Sequence, residues 1–154
     1  MPALRMPDDE ESPEPNVRDV CTSLIKKTQL SSNASFHSDY KVEVKYGRDG
    51  KRTRYEFDYA VVDSRLQRLY QRVHSPRNRP KNFLKNAHNS AWMFEKVIEA
   101  KLIPADSGAA FVYVDDEQLT EPEIRDPLDE LRSVTRVLNL RNQKDLQTAE
   151  EEFS

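Results

Sequence analysis

The stretch KVEVKYGRDGKRTRYEFDY, residues 41–59, decides the reading of this chain. Val42, Val44 and Tyr46 alternate with Lys41, Glu43 and Lys45. Beyond Gly47-Arg48-Asp49-Gly50, Tyr55, Phe57 and Tyr59 alternate with Arg54, Glu56 and Asp58. Two period-2 runs around a loop ending in Asp-Gly predict a β-hairpin with one aromatic, β-branched face and one charged face. A lone hairpin is only marginally stable in water, so the aromatic face requires helices to pack against.

The flanking sequence supplies them. Asn16 has the character of an N-cap, and Val17, Val20, Cys21, Leu24, Ile25 and Thr28 follow at helical spacing, with Asp19 in the first turn. Downstream, Asp63 or Ser64 precedes Leu66, Leu69, Tyr70 and Val73, the i, i+3, i+4, i+7 pattern of a helix that Ser75-Pro76 stops. A further helix is expected from Ser90, with Phe94, Val97, Ile98 and Leu102 inward. The apolar run Ala109–Val114 reads as a strand pairing with the hairpin. A last helix carries Ile124, Leu128, Leu131, Val134 and Leu138.

The expected fold class is therefore α+β, a small antiparallel sheet (the hairpin plus one later strand) packed against three or four helices. Tyr46, Tyr55, Phe57, Leu66, Leu69, Phe94, Ile98, Phe111 and Leu128 are its predicted core. With 154 residues the chain has room for one domain. It is polar, at 36% hydrophobic and 33% charged residues, with a mean hydropathy of -0.86. Part of it is accordingly expected to stay outside any core. Residues 1–15, acidic and proline-rich, are assigned to a disordered N-terminal tail, 16–142 to a single domain, and 143–154 to an acidic C-terminal tail. No apolar run is long enough to span a bilayer, and the N-terminus lacks the features of a secretory signal, so a cytoplasmic or nuclear location is expected.

Charge is unevenly spread. Residues 41–85 carry 13 Lys and Arg against 5 Asp and Glu, whereas residues 115–154 carry 5 against 12. Asp63 is the only acid between Ala60 and Phe94. On the helix expected from Ser64, Arg65, Arg68 and Arg72 form a stripe that leads to Arg77, Arg79, Lys81 and Lys85. Dispersed cations suit a phosphate backbone, and Tyr70, Phe83 and Trp92 lie near enough in sequence to stack on bases. A solvated helix face is the plainer account of the same residues.

Catalytic signals are scarce. His37, His74 and His88 stand far apart, with no carboxylate or cysteine at metal-ligand spacing, and Cys21 is the only cysteine, so no metal is expected. A nucleophile elbow and a glycine-rich phosphate loop are both missing, and three glycines offer little backbone for wrapping a cofactor; none is expected. Tyr113-Val114-Asp115-Asp116 resembles the metal-binding turn of reverse transcriptases. The likeness spans four residues and lacks both the preceding aspartate-bearing strand and the apolar strand that would follow. The sequence thus points away from an enzyme and towards an interaction module, an adaptor or subunit of a larger intracellular complex. Its protein-binding surface is expected on the helix faces of Cys21 and Leu24, or of Leu131, Val134 and Leu138, with self-association a further option. The alternative is an RNA or single-stranded nucleic-acid binder using residues 65–85. Two Ser-Pro dipeptides, Ser12-Pro13 and Ser75-Pro76, are candidate phosphorylation sites.

Overall fold

The computed structural model describes residues 17–26, 34–46, 50–73 and 80–153, with the backbone alone at 46, 80 and 81. The whole of the expected tail 1–15 with Ser12-Pro13, then Asn16, Thr28, His74, Ser75-Pro76, Arg77, Arg79 and Ser154, and the side chains of Tyr46 and Lys81, lie outside that description. In chain order the elements are α1 (Val17–Lys26), β1 (Ser35–Tyr46), β2 (Lys51–Asp63), β3 (Arg65–Arg72), α2 (Pro80–Glu99), β4 (Gly108–Val112), α3 (Asp116–Leu119), α4 (Pro122–Arg132), β5 (Arg136–Asn139) and α5 (Gln143–Glu152).

The class is α+β, built on one five-stranded mixed sheet in the order β1-β2-β3-β4-β5. β1 pairs antiparallel with β2 and β2 with β3, while β3, β4 and β5 are mutually parallel. Parallel neighbours require crossovers, and α2 links β3 to β4 while α3 and α4 link β4 to β5. The expectation of a small, wholly antiparallel sheet is thereby corrected, as is the count of helices.

Helices cover both faces. On one, Phe83, Ala87, Phe94 and Val97 of α2 and Ile124, Leu128 and Leu131 of α4 pack on Phe57, Leu69, Ala110 and Val112. On the other, Val17, Cys21 and Leu24 of α1 meet Ala149 of α5 and Phe153 over Tyr59, Tyr70, Phe111 and Leu138. Alternation along β4 feeds both cores, with Ala110 and Val112 pointing one way and Ala109 and Phe111 the other. Of the predicted core, Phe57, Leu69, Phe94, Phe111 and Leu128 are fully buried, and Tyr55, Leu66 and Ile98 are partly so.

The hairpin lies where the alternation places it, with Val42 opposite Tyr55 and Lys45 opposite Arg52. Its aromatic face is not continuous, however. Phe57 enters the core under α2 and Tyr59 the core under α1 and α5. Asp39 of β1, in the left-handed region at φ 52°, falls between the pairs Ser38↔Tyr59 and Tyr40↔Phe57, where the buried side chains of β2 change faces.

Three expected helices are corrected. Residues 65–72 form β3. The pairs Val61↔Arg68 and Val62↔Leu66 leave Gln67 as an extra residue, a β-bulge that puts Leu66 and Leu69 on one face although they are three apart. α2 begins at Pro80, ten residues before Ser90, and proline suits a first helical position because its missing N–H would have no partner there. α4 ends at Arg132, and Leu131 and Leu138 enter opposite cores because Leu138 belongs to β5.

The segment assigned to an acidic tail is also structured. Asn142 caps α5 by accepting from the N–H of Asp145 at 3.1 Å, and Phe153 at its end is buried. Among the described residues no helix is long and apolar enough to cross a membrane.

Candidate functional site

β3 carries the first three arginines of the basic segment, and two of them are already engaged. At Arg72 the ladder between β2 and β3 gives way to side chains. The Arg72 N–H donates to Asp58 Oδ2 at 2.8 Å, its guanidinium lies 3.4 Å from the same carboxylate, and the Asp58 N–H donates to Gln71 Oε1 at 2.9 Å. Arg72 also stands over the Tyr59 ring, 5.6 Å from its centroid. These contacts close the point where β2 leaves β3.

Arg68 belongs to a second network, centred on Glu152 of α5. The Tyr70 hydroxyl donates to Glu152 Oε1 at 2.8 Å, Arg136 Nη2 donates at 3.0 Å while Arg136 Nη1 bonds the other oxygen, and Arg68 Nη1 lies 3.5 Å away. Arg136 Nε further donates to the Gly108 carbonyl at 3.2 Å. Burial pushes the Glu152 carboxyl up, but the hydrogen bonds from Arg136 and Tyr70 and the charges of Arg136 and Arg68 outweigh it and hold the group below its ordinary value. The network joins β3, β4, β5 and α5, a structural use of charge.

The remaining members of the basic set are dispersed. Arg65 is exposed at the start of β3, and Lys85 is exposed on α2, which covers the opposite face of the sheet from the one Arg68 and Arg72 serve. The stacking set divides likewise. Tyr70 and Phe83 are fully buried, whereas Trp92 is 50% exposed, with Lys96 Nζ lying 4.2 Å from its ring centroid. Tyr70 stacks on Phe111 at 5.3 Å, inside the core.

The residues expected to bind protein are core residues too. Cys21, Leu24, Leu131 and Leu138 are buried and Val134 is partly buried. Burial also pushes the Cys21 thiol up to about 12, so it stays protonated and unreactive at neutral pH.

Exposed apolar surface is found elsewhere. Leu84 and Trp92 on the outer side of α2 are 51% and 50% exposed, and Leu102, just beyond its end, is 37% exposed. Lys85 and His88 share that outer side, and His88 Nδ1 lies 3.0 Å from Glu130 of α4. Sequence reasoning missed this surface because the expected helix began at Ser90, beyond Leu84.

A polar recess of about 450 Å³ opens at the carboxyl ends of β4 and β5, lined by Asp115, Asp116, Glu117, Asn139 and Arg141. Two of its groups serve the chain itself. Asp115 caps α3 in a reciprocal pair with Gln118 at 2.8 and 2.9 Å, and Asn139 bonds both the N–H and the carbonyl of Val114. Among the described residues, no group of three His, Cys, Asp or Glu side chains stands close enough to hold a metal ion. Comparison with protein-family models, with curated proteins and with solved structures found no match to this chain.

Proposed function

We propose that this chain is a non-enzymatic protein-interaction module, an adaptor or subunit of a larger assembly, and that the outer face of α2 makes the contact. The supporting observation is the exposure of Leu84 and Trp92 on that face, in a chain whose other large apolar side chains are, Leu102 apart, at least partly buried among the described residues. Exposed tryptophan anchors binding efficiently, because it buries much area with few rotatable bonds and often dominates an interface. Leu84, His88 and Trp92 follow one another at i, i+4 and i+8, the spacing of anchors on a helix seated in a groove. The fitting partner offers an apolar groove edged by a carboxylate for Lys85. The nucleic-acid alternative draws less support, since Arg68 and Arg72 are paired with carboxylates and Tyr70 and Phe83 are in the core.

Two double variants test the reading, each first checked for an unchanged melting temperature. Leu84→Gln with Trp92→Gln should abolish recovery of a stoichiometric protein partner from the native cells, while Lys41→Gln with Lys45→Gln, exposed on β1 and away from α2, should keep it. A partner retained by the Leu84/Trp92 variant would remove α2 from the interface. Anisotropy of labelled single-stranded RNA, read from about 50 to 200 mM salt, decides the alternative. Steep, salt-sensitive binding lost on replacing Arg65 and Lys85 would favour nucleic acid instead.

A further inference from the structure

A second surface lies where the end of α2 meets the start of β3. There an open groove of about 640 Å³ is lined by Leu66, Ile98, Leu102 and Ile103 together with Arg65 and Lys101. Among the described residues these two cations are its only charged lining, although Asp and Glu total 27 in the chain. Asp106 sits nearby in the turn Ala105–Ser107 without lining the groove. Neither Arg65 nor Lys101 makes an ion pair among the described residues, in contrast to Arg68, Arg72 and Arg136.

The backbone at Lys101 adds an independent observation. Its N–H donates to the Ile98 carbonyl at 2.9 Å, the Leu102 N–H donates to the Val97 carbonyl at 3.0 Å, and Lys101 has a φ of 60°. This is the left-handed ending of a helix, a position that normally falls to glycine or asparagine because a Cβ is strained there. A lysine costs conformational energy at that point and puts a cationic residue on the lining of the groove.

We propose that this groove binds an acidic, apolar peptide segment of a partner protein, with an aliphatic or aromatic side chain on Leu66, Ile98 and Leu102 and its carboxylates on Arg65 and Lys101. Charge complementarity selects the carboxylates. The open shape selects a peptide, since small-molecule sites usually enclose most of their ligand. The site is separate from the outer face of α2, and either surface can fail its test without the other.

The probe is a short peptide of alternating leucine and glutamate, added to the uniformly 15N-labelled full chain while amide shifts are followed. The expected result is saturable movement of the amides of Arg65, Leu66 and Gln67 and of Lys101 to Ala105, with no such response to a leucine–lysine or a serine–glutamate peptide. Arg65→Gln should weaken binding about tenfold, the scale of one well-placed charge contact. Lys101→Gly separates binding from folding, because glycine relieves the left-handed strain. It should raise the melting temperature yet weaken the peptide about as much, and Leu84→Gln with Trp92→Gln should leave it unchanged. Undiminished affinity in Lys101→Gly, equal binding of the serine–glutamate peptide, or shifts confined to other residues would each overturn the proposal. So would dodecanoate saturating the same amides while the peptide fails to compete, which would make the groove a site for lipid-like carboxylates.

Discussion

Glu152 shows what one carboxylate does when three donors converge on it. Tyr70, Arg136 and Arg68 reach it from β3 and β5, and its side chain is only 14% exposed. Replacing it with alanine leaves the Arg136 guanidinium and the Tyr70 hydroxyl without their acceptor, a loss of about 2 kcal/mol or more by the usual cost of breaking a charged, half-buried network. The pH dependence follows from its depressed folded-state pKa. The unfolded chain holds this proton more tightly, so the stabilisation is complete above the ordinary glutamate range, near pH 4.3, and is lost as pH falls through the lower folded value. Urea unfolding of the native chain and of Glu152→Gln across acid pH checks this. The difference between them should shrink on acidification, and a constant difference would show that the charge on Glu152 is not what stabilises the fold. This pairing is not legible in sequence, because Glu152 and Tyr70 are 82 positions apart and no local pattern links them.

At the scale of elements, legibility followed local regularity. The alternation of β1 and β2 was readable because the strands keep period two over the loop-proximal part of the hairpin. Where a single residue breaks the period, reading failed. Gln67 bulges from β3, so Leu66 and Leu69 imitate a helix turn, and Phe57 and Tyr59 enter opposite cores across from the left-handed Asp39. The Leu131–Leu138 stripe failed for a related reason, since a short turn between α4 and β5 preserves the spacing while the two leucines enter different cores. The candidate surface on α2 is visible as residues, Trp92 among them, but not as a surface, because the helix expected from Ser90 in fact opens at Pro80. Close packing between elements is equally silent in sequence. A Cβ on Gly108, at the start of β4, would stand 2.9 Å from the Phe94 ring and 3.0 Å from Thr135 Oγ1. Phe94 is wholly buried and cannot swing away. Gly108→Ala should therefore cost about 1–3 kcal/mol, the range for overpacking a core. Chemical denaturation with an unchanged m-value would be the expected signature, and native stability in the variant would mean that the α2–β4 contact is looser than its distances indicate.

Over the whole molecule, the charge asymmetry of the sequence turns out to be partly internal. Basic residues of β3 meet acids from β2 and from the C-terminal helix, so some of the contrast between middle and end is consumed in holding the sheet to α5. That changes the meaning of the last dozen residues. A tail could be removed at no cost, but α5 roofs one core: the Phe153 ring meets Phe36 at 5.4 Å, Tyr70 at 5.1 Å and Phe111 at 6.0 Å, and Asp145 accepts from the Asn139 N–H at 3.0 Å. Among the described residues the only other helix on that face is α1, of 10 residues. Burying a phenylalanine of this kind is worth about 1.5–3 kcal/mol, and uncovering its aromatic partners adds to the loss, against a total stability of about 5–15 kcal/mol for an ordinary domain. A chain ending at Arg141 should accordingly lose its sharp cooperative melt and bind a hydrophobic dye at neutral pH, with helical and strand signals largely kept, as in a state with loosened packing. Phe153→Ala, a gentler cut, should still fold but unfold at lower denaturant, by about 3–5 kcal/mol. Were the chain ending at Arg141 to melt like the full protein, α5 would be an appendage and the second core would rest on α1 alone.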